Sequence, residues 1–406
     1  MTPLKSDRLK ETIITDIKVR KVLNSKADWT IEVEISTAKG RGIGSCPLGT
    51  STGEHEVKPF SKNIDETIRK GNELIGKLFG HDLENIAEFD KIIKEIDGTE
   101  NFSNIGGALS TALSISAAKA GANSLGIPLF RHLGPGKKLP FLLSKVIGGG
   151  KHAKGPTFQE FLIMATEKEF EKNLELNLEI FKEIGEILDK KDKNFMRAKD
   201  LEGAWVTSLN EEKCVKLIDD LLTSKYKNKE IVLGIDFAAS NYYSNGKYVV
   251  NGKRMKIDEY EEYLASYVKK YGVTYLEDPF DQNDFDAHKR LIGRFKKIVL
   301  CGDDLFCTNK DRLQKGIESK AANSIIIKPN QVGTVSGAME VVEMAKKNHY
   351  LPVLSHRSGE TEDNFLAHFA VGCEIPILKI SLSGGERIAK INELLRINEY
   401  LKKEGV

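Results

Sequence analysis

The sequence predicts an α/β protein, a (β/α)8-type TIM barrel preceded by an α+β N-terminal capping domain. One observation is a recurring pattern between residues 231 and 379. Short apolar runs end on a chemically able side chain: 231–235 on Asp236, 273–276 on Glu277, 298–302 on Asp303, 325–327 on Lys328, 351–355 on His356 and 375–378 on Lys379. A second observation is what lies between them. The end residues recur about every 23–41 positions, the size of a strand, a helix and two loops. Residues 309–322 and 335–348 have helical spacing, the latter with Met339, Val342 and Ala345 on one face. Apolar strands alternating with helices point to parallel strands buried on both faces, and a closed barrel gathers their C-terminal ends at one mouth. The third observation is length. A barrel takes roughly 250 residues, so a chain of 406 leaves room for a separate N-terminal unit. The expected division is residues 1–135 for the cap and 136–406 for the barrel.

Taken in order, residues up to about Thr12 read as a loose extension. Residues 13–23 and 30–37 alternate apolar and polar, as in Ile31, Val33 and Ile35, and predict paired strands with one buried face. From Cys46 to Glu56, Gly49 and Gly53 bracket a hydroxyl-rich tract, which suits either a solvated loop or a lid that closes on a ligand. Residues 65–96 read as helical with a break near Gly80-His81, and Asp97-Gly98 as a turn. Residues 108–124 form a helix rich in small side chains, built to pack closely. The run 141–146 leads into Gly148-Gly149-Gly150-Lys151-His152, which lacks the Gly-Lys-Ser/Thr spacing of a Walker loop. Another apolar run follows Gln159 and Glu160. Helices are expected at 169–188, with Leu174, Leu178, Phe181, Ile184 and Leu188 on one face, and at 211–222.

Composition excludes several function classes. Hydrophobic residues make up 40% and charged residues 30%, ordinary for a globular enzyme. The net charge is +2, with no basic block for nucleic acid and no apolar run long enough for a membrane. Residues 1–10 are polar and lack the apolar core of a signal peptide. Five cysteines, an odd number without CxxC spacing, favour buried thiols in a reducing cytoplasm.

Any one of Asp236, Glu277 or Asp303 could be a helix cap or turn residue. At one barrel mouth they would instead form an all-oxygen cradle, which suits Mg²⁺ with positions left open for substrate. Lys328 and Lys379 would face the same space. A lysine near another cation and a metal has its charged form disfavoured, so it can serve as a base. Ser355-His356-Arg357-Ser358-Gly359 offers an arginine fork, hydroxyls and amides for a phosphate. Together these suggest proton abstraction beside a carboxylate.

The chain resembles the enolase family along nearly all its length. The stretches that carry the resemblance are Gly49-Thr50-Ser51-Thr52-Gly53-Glu54-His55-Glu56, Asp97-Gly98-Thr99-Glu100-Asn101, Gln159-Glu160-Phe161, Leu276-Glu277-Asp278-Pro279-Phe280, Gly302-Asp303-Asp304-Leu305, Lys328-Pro329-Asn330-Gln331-Val332-Gly333 and the nine residues from Ser355 to Asp363. A Lys or His base working with Mg²⁺ on an ene-diolate is the known pattern of that superfamily and is not deduced from these residues. The resemblance implies a lyase interconverting 2-phosphoglycerate and phosphoenolpyruvate. It implies Asp236, Glu277 and Asp303 as ligands of a first Mg²⁺, and Ser51 in a lid contributing to a second. It implies Lys328 as the base that takes the C2 proton, Lys379 as partner of the substrate carboxylate, and Arg357 and Ser358 as the phosphate grip. His152, Gln159, Glu160 and His356 would contact substrate, and Glu202 would protonate the departing hydroxyl, with Asp200 as the other candidate. A cytoplasmic homo-oligomer, dimer or octamer, is also implied.

Several stretches depart from the family. Its Gly-Asp-Glu-Gly-Gly-Phe-Ala-Pro stands here as Lys199-Asp200-Leu201-Glu202-Gly203-Ala204-Trp205-Val206. Its Ala-Ala-Ser-Glu is Ala238-Ala239-Ser240-Asn241, its Asp-Ser-Arg-Gly-Asn-Pro is Asn24-Ser25-Lys26-Ala27-Asp28-Trp29, and its Arg-Ser-Glu-Arg is Gly384-Gly385-Glu386-Arg387. A relative acting on another phosphorylated or carboxylate substrate, or a catalytically reduced binding protein, is therefore an alternative.

Overall fold

The computed structural model describes residues 11–50 and 55–405. Ser51 and the extension through residue 10 lie outside the described residues.

The cap begins with a meander, β1 (Ile14–Leu23), β2 (Trp29–Thr37) and β3 (Arg41–Ser45), paired antiparallel in that order. Alternation places Ile31, Val33 and Ile35 fully inside, as the period-two pattern predicts. Helices α1 (Ile64–Leu78) and α2 (Ile86–Asp97) follow, each started by an asparagine side chain that accepts a first-turn amide. The small-residue helix α3 (Gly107–Leu125) packs on the sheet. Its close approach needs glycine on the strand: a Cβ on Gly42 would lie 2.1 Å from the Ser116 carbonyl oxygen. The short α4 (Leu129–Leu133) leads to the barrel.

Eight strands close the barrel: β4 (Phe141–Gly148), β5 (Glu160–Ala165), β7 (Ile231–Asp236), β11 (Tyr275–Glu277), β12 (Val299–Gly302), β13 (Ser324–Ile327), β14 (Leu351–Ser355) and β15 (Ile377–Lys379), with β15 pairing back on β4. From β7 to β15 all neighbours are parallel, as the repeating pattern predicts. The second strand differs. β5 runs antiparallel to both β4 and β7, because a short glycine-rich link joins it to β4 with no helix between. A parallel crossover needs a dozen or more residues, usually a helix. The reversal puts the start of β5 at the mouth, so Glu160 sits opposite Asp236.

Outside the strands lie α5 (Phe170–Lys191), α6 (Glu211–Lys225), α7 (Ile257–Tyr271), α8 (Phe285–Arg294), α9 (Lys310–Ser319), the short α10 (Pro329–Val332), α11 (Val335–Lys347), α12 (Phe365–Gly372) and α13 (Gly385–Lys403). The two-residue β6 (Trp205–Val206) adds to β4, and a hairpin sheet of β8 (Tyr243–Ser244), β9 (Lys247–Val250) and β10 (Lys253–Met255) follows β7. The cap docks on the mouth. The Leu48 amide donates to the Gly359 carbonyl at 2.9 Å, the Ser25 amide to Glu360 at 2.7 Å, and Lys119 pairs with Asp363 at 2.6 Å.

Candidate active site

The strand ends converge on a polar cavity of about 60 Å³. At its floor is Lys379, from the end of β15. Its ammonium lies 2.9 Å from Asp236 Oδ2, 2.7 Å from Glu277 Oε1 and 3.1 Å from Glu160 Oε2. Burial pulls this lysine down, but Asp236, Glu160 and Glu277 outweigh it and hold it well above its ordinary range. Burial and the neighbouring Asp236 push Glu277 well above the carboxylate range. Glu277 is fully buried and lies outside the cavity lining.

Lys328, at the end of β13, pairs with Asp303 Oδ2 at 2.5 Å. Burial lowers this lysine, as do Arg357 and Lys379, but Asp303 prevails and its net shift is upward.

The residues fit a hard cation. Asp303 Oδ1 is buried without a hydrogen-bond partner, and the Lys379 ammonium stands between Asp236 and Glu277, where these carboxylates bind positive charge. Asp278, Asp303 and Asp304 bring one oxygen each within 4.8 Å of one another. Asp278 is already committed, since it accepts the amides of Asp303 at 3.0 Å and Asp304 at 2.6 Å and so shapes the loop after β12. Burial and the nearby Asp303 raise Asp304 to about 7.

Across the cavity is a second cluster. Glu202 is buried, with its Oε2 2.8 Å from Lys145 Nζ, 3.4 Å from His152 Nδ1 and 3.7 Å from His356 Nε2. Burial pushes Glu202 up, but His152, Lys145 and His356 hold it well below the usual range. The guanidinium of Arg387 donates to His356 Nδ1 at 3.0 Å. A guanidinium only donates, so a neutral His356 carries its proton on Nε2, which has no hydrogen-bond partner and faces the cavity. Burial holds His356 well below its ordinary value. Glu160 rises to about 7 through burial, against the pull of Lys379 and Lys145.

The anion grip lies on the cap side. Arg357 Nη1 donates to Asn330 Oδ1 at 3.0 Å, and both terminal nitrogens reach Glu56 Oε2 at 3.2 Å. The Ser358 hydroxyl is 2.7 Å from the Thr50 hydroxyl, at the start of the tract in which a lid was one reading.

With that geometry established, comparison with known proteins decides the family. The family model "Enolase, N-terminal domain" matches residues 14–133, and "Enolase, C-terminal TIM barrel domain" matches residues 136–406. The enolase of Thermoplasma acidophilum is 42% identical over 398 residues, covering 96% of this chain and 99% of the relative. Those of Methanosphaera stadtmanae and Picrophilus torridus are each 39% identical, covering 96% of this chain and 98% and 99% of theirs. The chain belongs to the enolase family. It is an enzyme of the phosphopyruvate hydratase kind, and no helix among the described residues is long and apolar enough to cross a membrane.

Of the enolase-family positions expected from sequence, His152, Gln159, Glu160, Glu202, Asp236, Asp303, Lys328, His356, Arg357, Ser358 and Lys379 line one cavity. Glu277 lies beneath it, covered by Lys379. Asp200 does not line it; its Oδ1 accepts the amides of Glu202 and Ala204, each at 2.9 Å, which closes the acid segment into a turn. Asn241, where the family has a carboxylate, is at the rim, 3.5 Å from Gln159 Oε1. Gly384 takes φ +96, and neighbouring Ser383 meets the acid segment, where a Cβ on Gly203 would lie 2.3 Å from the Ser383 carbonyl oxygen. Sequence reasoning missed Lys145, Arg387 and Glu56 as site residues. Lys145 had a signal, a lone charge inside the apolar run 141–146. Arg387 had another, since it and Glu386 are retained in a quartet whose first two residues are altered.

Proposed function

We propose that this chain interconverts 2-phosphoglycerate and phosphoenolpyruvate with Mg²⁺, by proton abstraction at Lys328 and proton donation from Glu202. The observation that carries the reading is one cavity with a buried lysine–carboxylate assembly on its floor, Arg357 and Ser358 on one wall and Glu202 on the other. Asp236, Glu277 and Asp303 are the residues that would hold the ion, with Ser51 assigned to a second one. Bound there, Mg²⁺ supplies Lewis-acid stabilisation for the charge that builds on the substrate carboxylate.

The chain's own groups do the rest. Arg357 and Ser358 take the phosphate, for which the fork must exchange Glu56 for the ligand. Lys379 meets the substrate carboxylate, and His152, Gln159, Glu160 and His356 contact the remaining oxygens. Lys328, as the free amine, takes the C2 proton. The C2=C3 double bond forms as the C3–O bond breaks, and the hydroxyl leaves as water with a proton from Glu202. The cap side closing over the mouth excludes water and strengthens each of these interactions.

Lys328→Ala tests the assignment: it should abolish exchange of the C2 proton with solvent, and surviving exchange removes Lys328 as the base. A second reading keeps proton abstraction and changes the substrate. Asn241, in place of a family carboxylate, favours it, and turnover of another phosphorylated hydroxy acid in preference to 2-phosphoglycerate would establish it.

The reading also includes a homo-oligomer in a reducing cytoplasm. Leu23 and Trp29, at the β1–β2 turn, are exposed, and all five cysteines are free. A monomeric mass by light scattering would remove the oligomer from the account.

A further inference from the structure

Glu202, whose proposed role as proton donor is the premise here, is not held by its own loop alone. Lys145 projects from the middle of β4, inside the barrel, with no exposed side-chain surface. Its ammonium is 2.7 Å from Asp200 Oδ2, 2.8 Å from Glu202 Oε2 and 2.7 Å from His152 Nδ1. The same Asp200 binds the Glu202 backbone amide through its other oxygen. Asp200 thus fixes Glu202 twice, by the backbone directly and by the side chain through Lys145.

Space is reserved for this arrangement. A Cβ on Gly148 would lie 1.9 Å from Asp200 Oδ2, so Asp200 reaches β4 because residue 148 has no side chain. Stability does not account for the pair. Burying two ions is costly, and a buried ion pair is often replaced by apolar side chains of similar volume without loss. A strand interior needing only packing would not call for an ammonium.

The charge has a definite address. The groups facing Glu202 are Lys145 from β4, His152 from the following loop, Glu160 from β5, His356 after β14 and Asp200 in its own segment, with Arg387 of α13 reaching the Leu201 carbonyl at 3.3 Å. Arg387 is occupied with His356 Nδ1, and His152 Nδ1 accepts from Lys145. Lys145 is therefore a standing positive charge in direct contact with the Glu202 carboxylate, at 2.8 Å.

We propose that Lys145, anchored by Asp200, is a positioning residue for loss of the hydroxyl: it aims the Glu202 carboxylate and the His152 ring at the cavity and supplies the fixed charge beside them.

The test uses the full chain with Mg²⁺ and 2-phosphoglycerate. Lys145→Met combined with Asp200→Asn removes both charges together, so neither is left buried alone. It is compared with the parent and with Glu202→Gln by thermal midpoint, C2-proton exchange, dehydration kcat and its pH profile. The double variant should fold with a midpoint near the parent's, keep C2 exchange and lose dehydration by about tenfold or more. An adjacent opposite charge lowers a carboxylate by about 1–3 pKa units. Removing it raises Glu202, which donates only when protonated, so the alkaline limb of kcat should move up by about one pH unit or more. Parent-like dehydration with an unmoved limb overturns the proposal. A double variant that cannot fold also overturns it, by making the pair a requirement of stability. Dehydration that survives in Glu202→Gln means the proton-donor assignment has failed. Dehydration lost there but untouched in the double variant means Lys145 alone was misassigned.

Discussion

Asp303→Asn keeps the shape of the partner of Lys328 and removes its charge. The ammonium and Asp303 Oδ2 are 2.5 Å apart and largely enclosed. Burial, Arg357 and Lys379 all act to lower Lys328, and Asp303 reverses the balance. An adjacent carboxylate is worth about 1–3 pKa units in such a setting, or about 1.4–4 kcal/mol between protonation states. Without it the lowering influences are unopposed, and Lys328 should titrate below an ordinary lysine. Stability acquires a matching pH dependence. A folded-state pKa above the unfolded value, about 10.4 for lysine, gives a contribution fully present below that value and lost as pH rises through the folded pKa. In Asp303→Asn the sign reverses. The folded state then holds its proton less tightly, so this site destabilises the fold more as pH falls from the lysine range through the depressed value. The assay is the rate of Lys328 modification by a small amine-reactive reagent against pH in metal-free protein, read site by site by peptide mass. A Lys328 that titrates in the variant at or above its position in the parent refutes the reasoning.

Arg387→Met removes the donor to His356 Nδ1 and orphans the carbonyl of Arg357, which its guanidinium reaches at 3.2 Å, while the Ser358 carbonyl keeps the Ser25 hydroxyl at 3.1 Å. A buried polar group left unsatisfied costs about 1–3 kcal/mol, so a drop of at least that size in urea unfolding is expected, together with weaker phosphate binding; an unchanged midpoint would contradict it. Mg²⁺ in hundredfold excess over its Kd should stabilise the fold by about 2.7 kcal/mol, seen as a rise in thermal midpoint that a chelator reverses. Asp236→Asn should remove most of that rise, and an equal rise in that variant would take Asp236 out of the ligand set.

The barrel and most of its mouth were legible because strand period and strand ends are local properties. Each of Asp236, Glu277, Asp303, Lys328, His356 and Lys379 follows its own apolar run, and parallel closure brings such ends together. Glu277 shows the limit of that logic. It ends a strand like the others, yet Lys379 covers it, and which of two converging side chains lies on top is settled by packing. The direction of β5 was readable in principle, since the link from Gly148 to Glu160 holds no helical pattern. Lys145 stands out as a lone charge in the apolar run 141–146, but its role was not readable, because a lysine in a strand ordinarily marks an outward face, and only closure shows that its face is the interior. In the segment Asp200-Leu201-Glu202, two carboxylates one residue apart look equivalent. The turn that sends Asp200 to backbone amides and Glu202 to the cavity depends on Gly148 and Lys145, which lie far away in sequence. The hairpin at residues 243–255 and the helix Gly385–Lys403 leave little signal in the sequence, the first because its strands are short and the second because its pattern is weakly amphipathic.

The central claim is tested most directly by giving purified protein 2-phosphoglycerate and Mg²⁺ and following phosphoenolpyruvate. The account predicts turnover that stops with a chelator and returns with added Mg²⁺. No phosphoenolpyruvate from folded protein with Mg²⁺ bound would contradict it.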